Sequence, residues 1–299
     1  SKTIVAFAFS GQGSQHERMG TQLYRFFPVF RDAIVECDHA FARHLDGASV
    51  LKTIHGASST SLSADSVMVQ PCLFAVEYAL ARLWESFGIH CSAVIGHSFG
   101  EYVAACIAGM FSLDDAALVV SQRARLFATD LPPGKMLAVW LAEAELKDII
   151  KGHDEVWIAA VNSPSQCVVT GAPSSIDRLD YHLRQLGHRT AFLRVSSAFH
   201  SQFMKDVASG VRDVVQGVKV SPQTFPIACN LTGELALDGQ MEDARYWQQA
   251  TERPVMFCAG VKNLTSMGVR ALIEIGPHTV LTPLMAESVG RDVTCIPSM

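Results

Sequence analysis

Apolar runs and amphipathic stretches alternate along the first hundred residues. Residues 3–9, TIVAFAF, form a continuous apolar strand candidate that ends in Gly11-Gln12-Gly13-Ser14-Gln15, a turn of small and amide residues. The spacing that follows predicts one helical stretch through LYRFFPVFRDAIVECDHAFARHL. Pro71 opens a second helix, PCLFAVEYALARLWESFG, with apolar residues at 73, 76, 80, 83, 84 and 87 and a terminal Gly88. CSAVIG is a short buried strand and EYVAACIAGM the helix after it. Strand, helix, strand, helix predicts an α/β unit on a parallel sheet.

The pattern changes after Pro132-Pro133-Gly134. MLAVWLA, VWIAAVN, QCVVTGA and RTAFLRVS read as strands, with EAELKDIIKG and SSIDRLDYHLRQLG as helices among them. The order is β-α-β-β-α-β, ferredoxin-like, between residues 134 and 195. The helices open with acidic residues or Ser, and the second ends at Gly187. After AFHS (198–201) helix and strand return, and ALIEIGP (271–277) is placed to rejoin the main sheet. The expected fold is α/β: an α/β-hydrolase-like large subdomain with a short parallel sheet (1–131 and 197–299), and an inserted ferredoxin-like small subdomain (132–196).

Composition narrows the function. With 299 residues, 49% hydrophobic and 18% charged, the chain is an ordinary globular protein. Its net charge of −5 argues against nucleic acid and means that an acidic protein partner would need a local basic patch. The apolar runs stop well short of the roughly 20 residues that a membrane span needs, and no secretory pattern opens the chain. The start Ser-Lys-Thr, without methionine, points to a processed or excised chain. Eight scattered cysteines without CxxC read as reduced thiols of a cytoplasmic protein. No Cys or His pair has zinc-finger or HExxH spacing, so no metal is expected.

Gly96-His97-Ser98-Phe99-Gly100 fits GxSxG between a strand and a helix, the context a nucleophile elbow requires. The following helix aims its N-terminal dipole at the same spot, and a tetrahedral oxyanion would meet the N–H of Phe99 and one donor from another loop. Ser98 needs a base. His97 adjoins it and is badly placed to reach its hydroxyl, which leaves His200 at a strand end, with His278 as a hydrolase-like alternative. The α/β-hydrolase order is serine, acid, then a histidine near the C-terminus. Here residues 201–299 follow His200 and no acid stands out between it and Ser98.

Taken together, FSGQGSQ, QP (70–71), GHSFGEY, QRARL, NSPSQ, AFHS, YWQQATERPVMF and EIGPHTVL resemble the malonyl-CoA:acyl carrier protein acyltransferase family, most closely the acyltransferase domains of polyketide synthases. The resemblance covers nearly the whole chain. It implies Ser98 as nucleophile and His200 as base in a Ser–His dyad, with a backbone carbonyl near Gln249 or Ala250 in place of the acid. It implies Gln12 as the second oxyanion N–H, supporting roles for Asn162, Gln70 and His97, and Arg123 as the grip on a malonyl carboxylate, with Arg125 a helix-face charge. Ala198-Phe199 accompanies malonyl selection in the family. Ser197 and Phe99 depart from the malonyl-selective pattern, so an unusual extender unit stays open.

No tightly bound cofactor is implied. The substrates would be malonyl-CoA and the phosphopantetheine arm of an acyl carrier protein, with flanking synthase domains as further partners. Arg178, Arg184 and Arg189 are candidate basic contacts for that carrier, and the cleft between the subdomains the groove for its arm. A serine hydrolase or editing thioesterase would share Ser98 and His200. A non-catalytic docking domain would need neither.

Overall fold

The computed structural model of the protein describes residues 3–58 and 61–299. In chain order, β1 (Val5–Phe9) is followed by α1 (Thr21–Phe26), α2 (Pro28–Ala42), α3 (Val50–Ile54), α4 (Val69–Ser86), β2 (Ala93–Gly96), α5 (Gly100–Ile107) and α6 (Leu113–Phe127). A middle stretch holds β3 (Lys135–Val139), α7 (Glu143–Ile150), β4 (Val156–Ser163), β5 (Gln166–Gly171), α8 (Pro173–Gln185) and β6 (Thr190–Phe192). The remainder is α9 (Lys205–Gln216), β7 (Ile227–Ala228), α10 (Ala244–Glu252), α11 (Phe257–Ser266), β8 (Ala271–Ile275), α12 (Thr282–Ser288) and β9 (Thr294–Pro297).

Five of the strands form a parallel sheet in the order β7-β2-β1-β8-β9. Phe9 pairs with both Gly96 and Ile275, so the carboxyl ends of β1, β2 and β8 are level. The turns that follow them therefore gather along one edge, where open parallel sheets place ligands. The sheet is apolar on both faces because helices cover both. Phe7 and Phe9 face the larger core with α2, α4 and α5, while Ala6 and Ala8 face α11 and α12.

The second sheet is antiparallel, in the order β4-β5-β3-β6. This is the ferredoxin-like arrangement that its β-α-β-β-α-β order implies. Period-2 alternation divides its side chains. Leu137 and Val139 pack under α7 and α8, whereas Met136 and Ala138 join Phe257 and Val261 of α11. Val255 adds a short parallel bridge to Ala160, tying this sheet to the segment ahead of α11. The chain enters and leaves the unit side by side: Gly134 N–H donates to Ser196 O at 2.9 Å, and a Cβ on Gly134 would lie 2.2 Å from the amide nitrogen of Ala198.

Two expectations change. The strand expected over RTAFLRVS is only Thr190–Phe192, so His200 lies past the strand rather than at its end. The single helix expected over LYRFFPVFRDAIVECDHAFARHL is two, α1 and α2, broken at Phe27. Pro28 forces the preceding residue out of the helical region, and Phe27 is extended at φ −116°, ψ 107°. Pro28 then starts α2, where its missing N–H costs nothing. Among the described residues no helix is long and apolar enough to cross a membrane.

Candidate active site

Ser98 sits in the turn between β2 and α5 with φ +52°, a left-handed conformation rare for a residue with a side chain. The two flanking glycines make the turn sterically feasible. A Cβ on Gly96 would lie 2.1 Å from the backbone nitrogen of Glu101, and one on Gly100 2.3 Å from the carbonyl oxygen of Phe9. The elbow is thus pressed against β1. The amides of Gly100, Glu101 and Tyr102 donate to the carbonyls of His97, Ser98 and Phe99. Phe99 itself stands at the head of α5.

Ser98 Oγ lies 2.7 Å from His200 Nε2. The other ring nitrogen, Nδ1, lies 3.0 Å from the carbonyl oxygen of Arg253. A carbonyl only accepts, so Nδ1 carries the hydrogen and Nε2 presents its lone pair to the serine hydroxyl. The orienting carbonyl expected near Gln249 or Ala250 is therefore chiefly that of Arg253, just past the end of α10. Ala250 O also favours the proton on this ring. Burial, followed by the charges of His97 and Arg123, depresses the His200 pKa to about 4. The imidazole is neutral at pH 7, the form a general base requires.

Asn230, which follows β7, clamps the elbow from the other side. Its Oδ1 accepts from Ser98 N–H at 2.7 Å, and its Nδ2 donates to Gly96 O at 2.7 Å. Its own N–H donates to Glu101 Oε1 at 2.7 Å, where the Tyr246 hydroxyl also donates at 2.5 Å. Burial pushes the Glu101 carboxyl up to about 7 against the pull of those two donors. Asn230 and Tyr246 escaped the sequence reading, because nothing local in ACNLTGE or ARYWQQA marks them. Glu101 did carry a signal, as the one charged residue of the otherwise apolar helix GEYVAACI.

Arg123 comes from α6 and is only 4% exposed. Its Nε and Nη1 have no hydrogen-bond partner among the described residues. Its guanidinium carbon lies 4.0 Å from the ring centre of Phe127, 5.1 Å from that of Tyr102 and 5.6 Å from that of Phe99. The cation is therefore held by aromatic faces rather than by an acid. Burial lowers its pKa while Tyr102 raises it, and guanidinium stays protonated regardless. Arg125, two residues on, instead pairs with Asp46 at 2.7 Å on the surface. Ser98, Tyr102, Arg123, His200, Asn230 and Ala250 line one small cleft.

The other sequence candidates take places around it. His97 Nε2 bonds Asn162 Oδ1 at 2.7 Å, and Asn162 Nδ2 donates to Gln166 Oε1 at 3.2 Å. Gln70 is fully buried and donates from Nε2 to Gln12 Oε1 at 3.2 Å. Ala198 is buried against Gly134, and Phe199 stacks on Phe127 at 5.6 Å and 25°. His278 is exposed on the turn after β8, and the Ser98 hydroxyl is engaged by His200 instead. On the antiparallel unit, Arg184 pairs with Asp180, Arg178 donates to Ser175, and Arg189 lies 3.9 Å over Trp140.

Comparison with known proteins gives a consistent result. The family model described as acyl transferase domain matches residues 6–299. The spectinabilin polyketide synthase system protein NorB of Streptomyces orinoci is 38% identical over 287 residues, which is 94% of this chain and 13% of that protein. The chain spans only 4% to 16% of the first three curated relatives it matches. Among solved structures, the acyltransferase domain from the second module of the salinomycin polyketide synthase superposes with a TM-score of 0.91 at 36% identity, over 99% of this chain and 69% of that one. The acyltransferase domain of SpnD, in complex with 2-(pent-4-yn-1-yl)malonyl, gives 0.90 at 32% identity, over 99% and 71%.

Proposed function

The chain belongs to the acyl transferase domain family, and we propose that it moves a malonyl extender unit from coenzyme A to the phosphopantetheine thiol of an acyl carrier protein in polyketide assembly. One observation carries the choice of acyl group. A buried guanidinium whose Nε and Nη1 have no partner among the described residues shares a cleft with the Ser98–His200 pair. An unpaired buried cation costs several kcal/mol, and a carboxylate on the incoming acyl group removes that cost.

In this mechanism His200 Nε2 takes the Ser98 proton as Oγ attacks the thioester carbonyl. The oxyanion rests on the N–H groups of Phe99 and Gln12. Protonated His200 then returns the proton to the coenzyme A sulfur, which leaves. Arg123 holds the carboxylate of the malonyl-serine ester. His200 next takes the proton of the pantetheine thiol as its sulfur attacks the ester, then returns that proton to Ser98 Oγ as the ester C–O bond breaks, completing a ping-pong cycle. Residues 132–196 act as an inserted subdomain, and the segment that leaves it after β6 delivers His200.

Phe199 supports malonyl over branched units, since its ring, backed by Phe127, crowds the substrate's α-carbon. The SpnD domain, whose structure holds a substituted malonyl group, marks an unusual extender as the competing outcome. Intact-mass measurement tests the whole reading. Malonyl-CoA should leave a malonyl adduct on Ser98 that clears only when holo carrier protein is added. An adduct that decays to free malonate equally fast without the carrier identifies a hydrolase instead.

A further inference from the structure

Beneath the turn that carries Gln12 lies a buried acid that the mechanism above does not use. Glu77, on α4, is 0% exposed, as is Ser10, and Ser14 is 2% exposed. Glu77 Oε1 lies 2.5 Å from Ser10 Oγ, and Ser10 Oγ lies 2.9 Å from Ser14 Oγ. Ser14 Oγ donates to the carbonyl oxygen of Gly11 at 2.9 Å. Three contacts in series need three hydrogens. The carbonyl has none to give and each hydroxyl has one. The count closes when the carboxyl supplies the third: Glu77 donates to Ser10, Ser10 to Ser14, and Ser14 to Gly11.

We infer that Glu77 is a neutral carboxylic acid that, through Ser10 and Ser14, sets the direction of the Gln12 N–H in the oxyanion hole. This rests on the oxyanion role proposed for Gln12. The Gly11 carbonyl and the Gln12 N–H belong to one peptide plane, and no peptide among the described residues is cis. In a trans peptide the two groups point in opposite directions, so anchoring the carbonyl below aims the N–H above. Hydrogen bonds in a chain also polarise one another, which strengthens the donor at its far end.

Two further features agree with a neutral acid. Glu77 Oε2 is buried without a partner, a burden far smaller for an acid carbonyl than for a carboxylate. Burial holds the carboxyl well above its ordinary range against the pull of Ser10, and the negative charge of nearby Glu274, on β8, adds to the rise. The relay is also tightly enclosed: a Cβ on Gly276 would lie 2.3 Å from Ser10 Oγ.

The test uses three variants of the full chain, Glu77→Leu, Glu77→Gln and Ser14→Ala, with Ser98 acylation by malonyl-CoA followed by intact mass. Glu77→Leu and Ser14→Ala should slow acylation at saturating substrate by about 10- to 100-fold while KM stays within about twofold. Glu77→Gln, whose amide donates to Ser10, should recover the rate to within about threefold of the unmodified chain. The infrared difference between the unmodified chain and Glu77→Gln at neutral pH should contain the carbonyl stretch of a protonated carboxylic acid. Carboxylate bands in that difference overturn the inference, as does a Glu77→Gln rate as low as that of Glu77→Leu. Losses confined to KM do the same. If Glu77→Leu does not fold, Ser14→Ala carries the kinetic arm. If the unmodified chain takes no acyl group at all, the transferase reading falls while the infrared band still decides the protonation of Glu77.

Discussion

Arg123 and Arg125 stand two positions apart on α6 and meet opposite environments. One is enclosed by Phe99, Tyr102 and Phe127, and the other pairs with Asp46 at the surface. Arg123→Ala should therefore cut malonyl loading of Ser98 by two to three orders of magnitude while acetyl loading falls little. Equal losses for the two acyl groups would disprove the carboxylate grip. For His200 the sign of the pH effect follows from its depressed pKa. The ring stays unprotonated from pH 7 downward until about pH 4, so acylation of Ser98 should hold through pH 5 and drop only near pH 4. A fall centred near 6.5, the ordinary value for histidine, would contradict that environment. Asn230→Ala strips a partner from both Ser98 N–H and Gly96 O, which should cost about 2–4 kcal/mol of stability and slow acylation. Denaturant titration alongside single-turnover acylation separates the two effects. Residues with a chemical signature, such as Ser98 in GxSxG, could be read from the sequence. Asn230 could not, because its bonds to the elbow and to Glu101 reach residues more than a hundred positions away.

At the scale of elements, the level ends of β1, β2 and β8 bring three separate turns onto one edge, and close packing of glycines holds them there. Gly100→Ala places a methyl group 2.3 Å from a backbone oxygen of β1. It should destabilise the fold by about 3 kcal/mol or more, read as a lower denaturant midpoint. Periodicity identified most of the strands and helices because apolar runs and 3.6-residue spacing are strong local signals. It failed at α1 and α2, where apolar spacing continues across Phe27 although Pro28 breaks the backbone. It also gave no sign of β7 and little of β9. β7 has two residues, too short for any alternation, and its place beside β2 is set by tertiary contacts.

For the molecule as a whole, the two sheets supply different halves of the hydrogen-bonded Ser98–His200 pair proposed to react. Ser98 stands at the edge of the parallel sheet, and His200 lies eight residues past the last strand of the antiparallel one. The segment between runs directly against Gly134. A Gly134→Ala substitution should push that segment away, lowering the acylation rate of Ser98 more than the affinity for malonyl-CoA. Pre-steady-state acylation over a range of malonyl-CoA concentrations checks this, and a loss confined to affinity would refute it. The antiparallel unit was legible from its strand order alone. Its docking onto α11 through Val255 and Ala160 was not, since no local pattern announces a contact between distant segments.

The distance along the chain between Ser98 and His200 has a consequence in time. Their hydrogen bond spans 102 positions, the bond from His200 to Arg253 another 53, and the bond from Ser98 to Asn230 132. Contacts of such separation form late, because a long loop must close before they yield any stabilisation. During refolding from urea, helical signal should therefore return before Ser98 regains reactivity toward malonyl-CoA. The interval between the two is the lifetime of a molecule that has regained its helices and whose Ser98 malonyl-CoA cannot yet label.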